Sequence, residues 1–127
     1  MSDPNHSPVG WYVASYLLRF VELNQEGNFD KEKQFTVWEN TILVKANNID
    51  EAYDKVESEA LLATEPYKGG VEGIPVQWLF EGISELLPVY DEIEDGVEIM
   101  FGEYKQKLKN IKKRARSKKD VVRKTSK

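Results

Sequence analysis

The sequence predicts an α+β domain in which an antiparallel sheet of four or five strands carries one packed central helix, followed by a basic C-terminal helix and tail. Three observations predict it: apolar and aromatic runs separated by polar or glycine-containing turns, one amphipathic segment of helical period, and a change to basic composition near residue 104. At 127 residues with 40% hydrophobic content, the chain has the size of one domain with one core.

The first two strands are predicted to form a long hairpin. Residues 10–23 are rich in aromatic and β-branched residues, and both alternating faces are apolar except at Arg19, as in a central strand covered on both sides. A polar loop containing Gly27 leads into a second strand at 35–46. In that strand we expect an inward face of Trp38, Ile42, Val44 and Ala46, and a wet face of Glu39, Thr41 and Lys45.

One helix is predicted over residues 49–63. Apolar residues recur there at helical spacing from Ile49 to Ala60, and the opposite face is charged, so one side should pack on the sheet. Asn47 and Asn48 are both in place to cap its first turn.

The second half of the domain is predicted to add two or three strands after an irregular, glycine-rich loop at 66–73. The expected elements are a third strand at 76–81, a candidate bulge at Gly82, a fourth strand at 86–93, a hairpin turn at Asp95 and Gly96, and a fifth strand at 97–101.

The two ends of the chain are predicted to lie outside the core. Residues 1–9 form a polar leader that we expect to be disordered, which leaves 10–103 as the α+β domain and 104–127 as the basic segment. A narrow apolar stripe over 104–115 indicates a helix whose first turns are candidates to cover the second face of the sheet, a second subunit of a homodimer being the other. Beyond Arg116 we expect a disordered tail.

Charge divides the chain in two. Residues 105–127 hold 12 of the 18 Lys and Arg and only one acid, Asp120, a charge of +11. The remaining residues hold six bases and 21 acids, so the part that folds carries −15. An acidic body with a basic tail favours recognition by charge complementarity.

Composition disfavours several kinds of site. With no cysteine and a single histidine, His6, in the leader, the chain lacks the usual transition-metal ligands, and we predict neither a metal nor a cofactor. The acidic stretch 91–98 lacks the pattern of a calcium loop, and KGGVEG lacks the continuation of a phosphate loop. No membrane span or signal peptide is evident, so we expect a soluble, cytoplasmic protein without a membrane partner.

The candidate site residues of the folded part are three tryptophans and one glutamate: Trp11, Trp38, Trp78 and Glu39. Each falls on a predicted strand, where aromatic residues pack in the core or offer a binding surface. Glu39 is also the candidate general acid, because its neighbours are apolar, but no titratable partner is evident. A sheet this acidic repels phosphate, so we do not expect nucleic acid on it.

The basic tail is a second candidate site, because its cations attract phosphates or acidic proteins without a defined pocket. The residues expected to contact nucleic acid are Lys112, Lys113, Arg114, Arg116, Lys118 and Lys119. The alternative is that the tail lies on its own acidic domain, and the sequence leaves both open.

Three segments together resemble a known family. They are GWYVASYLLRFVE, WENTILVKANNIDEAYDKVE and VQWLFEGISELLPVYDEIEDGVEI, and they are similar to bacterial domain-of-unknown-function family 4288 over residues 10–102. The resemblance implies an α+β domain built of these segments and implies no reaction. The family's characteristic positions correspond to Trp11, Trp38, Glu39, Ala52, Gly82, Leu87, Asp95 and Gly96.

The sequence favours a small non-enzymatic binding protein that recognises a protein partner by charge, an immunity-type protein being one form of it. A neighbouring gene for a toxin-like protein would support that form. The alternatives are a nucleic-acid-associated protein anchored by its tail and a carboxylate-dependent enzyme using Glu39 or the acids at 91–98.

Overall fold

The protein has an α+β fold with a four-stranded antiparallel sheet, seen in a computed structural model that describes residues 3–122. The strands are β1 (Trp11–Glu22), β2 (Val37–Lys45), β3 (Tyr67–Gly69) and β4 (Ile74–Pro88). The helices are α1 (Ile49–Leu61), extended by a 3-10 turn (Leu62–Thr64), α2 (Leu108–Arg114) and α3 (Lys118–Val121). The spatial order is β2-β1-β4-β3, so β1 and β4 are central and β2 and β3 are the edges.

β1 is buried on both faces, as its two apolar faces predicted. On one face Tyr12, Ala14, Tyr16 and Leu18 form the core together with Val44, Ala46 and three α1 residues, Ala52, Val56 and Ala60. On the opposite face Val13, Ser15 and Val21 are also buried. α1 packs on the first of these two faces, where three of its residues belong to the core.

α1 lies where the helical period predicts it. Asn48 is the N-cap: its backbone is extended and its side-chain oxygen accepts a 2.8 Å hydrogen bond from the Glu51 N–H. This bond satisfies one of the first-turn amides that have no partner within the helix. The side-chain amide of the adjacent Asn47 donates to the Glu51 carboxylate and not to a carbonyl or amide of the helix backbone. Of the two predicted candidates, Asn48 is therefore the cap.

The predicted third and fourth strands are one strand, β4, and the predicted fourth strand at 86–93 is wrong beyond Pro88. The register against β1 shifts between Ser15 and Tyr16 and again between Leu17 and Leu18, and Gly82, with φ of +143°, lies opposite Leu17. The glycine therefore marks irregular pairing, as predicted, without ending the strand.

The predicted fifth strand at 97–101 is not formed. A turn does occur at 95–96, where the Val97 N–H donates to the Glu94 carbonyl, but the residues after it pair with no strand of the described chain. The reason is that β1 begins at Trp11, whose carbonyl accepts from Val89, so the chain beyond Val89 has run past its partner strand. A short strand, β3, lies instead in the loop predicted at 66–73.

The ends of the described chain differ from expectation in several places. Ser7, in the predicted leader, is buried and bonded to Val89. α2 begins at Leu108, not 104, is exposed along its length, and contacts no strand or other helix, so it does not cover the second face. A short helix, α3, forms beyond Arg116, where a disordered tail was expected. The final part of that expectation, 123–127, lies outside the described residues.

Among residues 3–122, no helix is both long and apolar enough to cross a membrane.

Candidate binding site

The outer edge of β2 is an open edge of the described sheet and lies beside α1. The outer side of β4 beyond Val76 is also open, because β3 pairs only with residues 74–76. β2 has nine residues and, within residues 3–122, pairs only with β1, on one side. Just beyond the two ends of β2, the Phe20 N–H donates to the Thr36 carbonyl and the Ala46 N–H donates to the Gly10 carbonyl. Thr36 and Ala46 are both even-numbered, so the even-numbered residues of β2 are the ones hydrogen-bonded to β1. Because such pairs alternate in an antiparallel ladder, the odd-numbered residues direct their N–H and C=O groups away from β1, toward the open edge. These residues are Val37, Glu39, Thr41, Leu43 and Lys45.

A groove runs between this edge and α1. Its volume is about 640 Å³, and β2 residues 42–45 form one wall while the side of α1 from Glu51 to Glu59 forms the other. The strand wall is mostly apolar and the helix wall is polar. A strand added to β2 would therefore direct every second side chain into a partly apolar, partly charged channel.

The groove contains three acids and two lysines, and both lysines are already engaged. Lys55 lies 3.8 Å from the Glu51 carboxylate and donates to the outward carbonyl of Lys45, which closes one end of the edge. The Lys45 ammonium lies 5.7 Å from the ring centroid of Trp11. Asp54 and Glu59 form no salt bridge with the described chain, so the groove has an excess of negative charge.

At the other end of β2, an aromatic cluster lies on the α1 face of the sheet. The ring centroids of Trp38 and Trp78 are 4.8 Å apart, and those of Phe20 and Trp78 are 5.1 Å apart. Trp78 packs against the core, whereas Trp38 keeps 55% of its surface exposed. Two of the tryptophans singled out from the sequence thus meet; Phe20 joins them because it pairs with Trp78 in the β1–β4 register, which spacing alone does not reveal.

The other two sequence candidates lie apart from this cluster. Trp11 is at the far end of β1, opposite Lys45. Glu39 is on the opposite face, where its carboxylate accepts a 2.5 Å hydrogen bond from the Ser84 hydroxyl. The described chain places no second carboxylate or cation in hydrogen-bonding contact with Glu39. The hydrogen bond between Glu39 and Ser84 therefore has a structural role: it links β2 to β4 across β1.

Arg19 organises the loop between β1 and β2. Its guanidinium donates to Glu81 at 2.7 Å and to the Asn28 carbonyl at 2.6 Å, and it stacks 4.5 Å from the ring centroid of Phe35. The sequence showed Arg19 only as an exception in an apolar strand. Its partner Glu81 lies beside the irregular pairing at Gly82, so the contact depends on a register that sequence does not show.

The acids at 91–98 lie in an irregular, mostly exposed segment. In the part of the chain that the structure describes, no group of three or more His, Asp or Glu side chains is arranged to hold a metal ion. These acids therefore form a charged surface and do not converge.

The tail cations predicted to contact nucleic acid are all exposed. Lys112, Lys113 and Arg114 are on α2, and Arg114 lies 4.4 Å from the ring centroid of Tyr104. Arg116 donates to the Asp120 carbonyl, while Lys118 and Lys119 begin α3. The two salt bridges found within residues 3–122 involve none of them.

Comparison with known proteins gives one finding. The sequence model of a family described as "domain of unknown function (DUF4288)" matches residues 11–101, from the start of β1 into the segment after β4. No curated protein and no solved structure gives a significant match to the chain.

Proposed function

Because the chain belongs to the DUF4288 family of domains of unknown function, and a family fold does not itself assign chemistry, we propose from the geometry that it is a protein-binding module. The partner binds as an extended segment along the open edge of β2. The observation that carries this proposal is the row of outward backbone groups on β2 beside the groove of α1.

Strand addition suits this edge for two reasons. Unpaired N–H and C=O groups in a row are a template for another strand, and neighbouring pockets for alternate side chains supply selectivity. Natural edge strands are commonly shortened, bulged or interrupted by proline, but β2 is long, regular in its pairing with β1 and free of proline. An immunity-type role, in which the acidic domain masks a partner protein, is one form of such binding.

The experiment selects nine-residue peptides from a random displayed library on the immobilised full-length chain and then measures their affinity in solution. Leu43→Pro removes an outward N–H that β1 does not use, so it should abolish binding while edge-strand pairing with β1 survives. Leu43→Thr, which keeps the N–H, is the matched control and should still bind.

A second measurement protects the test against a misfolded proline variant. Selected peptides are N-methylated at alternate residues, since one alternating set of peptide amides faces β2 and the other does not. Loss of binding with only one of the two methylation patterns supports strand addition. The proposal is contradicted if the affinity of the selected peptides is changed neither by either methylation pattern nor by Leu43→Pro.

A second candidate function, nucleic-acid binding by the tail, is supported by the exposure of the described tail cations and their absence from the salt bridges of residues 3–122. If five cations neutralise phosphates of duplex DNA, log affinity should fall with log salt at a slope of about −4.5, at about −0.9 per contact. The acidic body opposes approach, so affinity should be modest and nearly independent of DNA sequence.

Titration of labelled duplex DNA with the full-length chain at several salt concentrations tests this second function. Changing Lys112 and Lys113 to Gln should flatten the slope by about 1.8, two contacts at about 0.9 each. Changing Lys31 and Lys68, exposed lysines of the body, should leave the slope unchanged. Absence of binding at low salt would eliminate this function.

A further inference from the structure

We infer that the segment received by the β2 groove is basic, with cations at alternate residues of an extended strand. This inference rests on the proposed function and specifies the chemistry of its partner. Two features of the groove support it: the acids on its helix wall, and the contacts that its lysines already make elsewhere.

The helix wall of the groove presents two acids that have no counter-ion in the described chain. Asp54 and Glu59 are exposed on the groove side of α1. Side chains of an extended strand alternate between the two faces of a sheet, so every second residue of a strand added to β2 lies on the α1 face. Cations at alternate positions of that strand would therefore lie on the side of the sheet that carries the two acids.

The groove's own cations do not compete for these acids. Lys55 is held by Glu51 and the Lys45 carbonyl, and Lys45 lies near Trp11. Asp54 and Glu59 are therefore available to an incoming cation. Apolar side chains of the partner would be accommodated at the other end of β2, where Trp38 is half exposed.

A second copy of the chain fits this edge less well. Antiparallel pairing of β2 with its own copy about a two-fold axis would place α1 of both copies on the same face of a continuous sheet. The unneutralised acids of each groove would then face like charge, and each folded body carries −15. Like charges brought together across an interface are unfavourable, so charge favours a basic partner over self-association.

The test uses three labelled peptides and fluorescence anisotropy with the full-length chain. One alternates lysine and threonine over eight residues; the second has the same composition with its lysines in one block; the third alternates glutamate and threonine. The alternating lysine peptide should bind most tightly, and its affinity should fall as salt is raised. The glutamate peptide should bind at least tenfold more weakly.

Two charge-matched variants locate the effect. Asp54→Asn combined with Glu59→Gln should weaken the alternating lysine peptide about fivefold, as expected for two partly exposed ion pairs. Glu26→Gln combined with Asp30→Asn removes the same charge from the exposed loop after β1 and should have little effect. Leu43→Pro should abolish binding of every peptide.

The outcomes separate this inference from the function on which it rests. If both charge variants weaken binding equally, or the block and alternating peptides bind alike, the groove acids do not select the partner and the inference fails. Binding that survives in those cases but disappears with Leu43→Pro leaves strand addition standing. A salt-insensitive dimer dissociated by Leu43→Pro, with no peptide binding, would identify a second copy as the occupant and overturn the inference.

Discussion

Lys55 donates a hydrogen bond from α1 to the backbone carbonyl of Lys45, the last residue of β2. That carbonyl points away from β1, so the contact satisfies one group of an otherwise open edge. The same hydrogen bond links α1 to β2, the strand that precedes it in the chain, at one end of the groove. The position of α1 therefore determines both the width of the groove and the end of the available edge.

The cap of α1 is expected to contribute measurably to stability. Asn48→Ala removes the side-chain acceptor of the Glu51 N–H and should lower the free energy of unfolding by about 1 kcal/mol. Asn47→Ala, one residue earlier, loses only an exposed side-chain contact and should change it by less than about 0.5 kcal/mol. Urea titration of both variants measures the difference; equal losses would contradict the assigned cap.

The packing of α1 on β1 makes a second prediction. Val56 is fully buried at this interface, and Val56→Ala should destabilise the domain by about 2 kcal/mol through lost apolar burial and a residual cavity. Val71→Ala is the matched control, because Val71 is fully exposed in the loop between β3 and β4 and its truncation should be nearly neutral. Similar urea midpoints for the two variants would show that α1 does not pack as described.

The leader supplies a third prediction. Ser7 is 2% exposed, and its hydroxyl donates to the Val89 carbonyl and accepts from the Trp11 N–H. Ser7→Ala leaves these buried backbone groups without that partner and should cost about 1–3 kcal/mol. Ser58→Ala, at an exposed site on α1, should be neutral or slightly stabilising. A neutral Ser7→Ala would mean that the leader is not held at this point.

Local patterns of sequence were sufficient for β1 and α1. The two apolar faces of residues 10–23 predict a buried central strand, and the period of residues 49–60 with its preceding asparagines predicts a capped helix. In each pattern, the apolar residues that form the pattern are themselves the residues that become buried. The patterns do not depend on which distant segment provides the burial.

Features that depend on long-range register could not be predicted in the same way. The continuity of β4 past Gly82 depends on which β1 residues lie opposite it, and the end of β4 depends on where β1 begins. Ser7 is bonded to a residue 82 positions away. Each of these contacts forms only when distant segments pair in the sheet, so neither composition nor periodicity predicts it.

The candidate site shows the same division. Trp38, Trp78 and Glu39 could be named from the sequence, and alternation placed Trp38 and Glu39 on opposite faces of β2. The contacts of Trp38 with Trp78 and of Glu39 with Ser84 could not be predicted. A hairpin pattern also does not say which of its two strands becomes an edge. Only the pairing of β4 with β1 leaves β2 outermost and opens the groove beside α1.

Residue-resolved hydrogen exchange of β2, with and without a peptide selected for binding, tests the central claim most directly. In the free protein the amides of Asn40, Ile42 and Val44 should be protected by β1, whereas those of Glu39, Thr41 and Leu43 should exchange rapidly. Saturating peptide should slow exchange at Glu39, Thr41 and Leu43 specifically. Unchanged exchange at these three amides in the saturated complex would contradict the account, because the peptide would then be bound elsewhere.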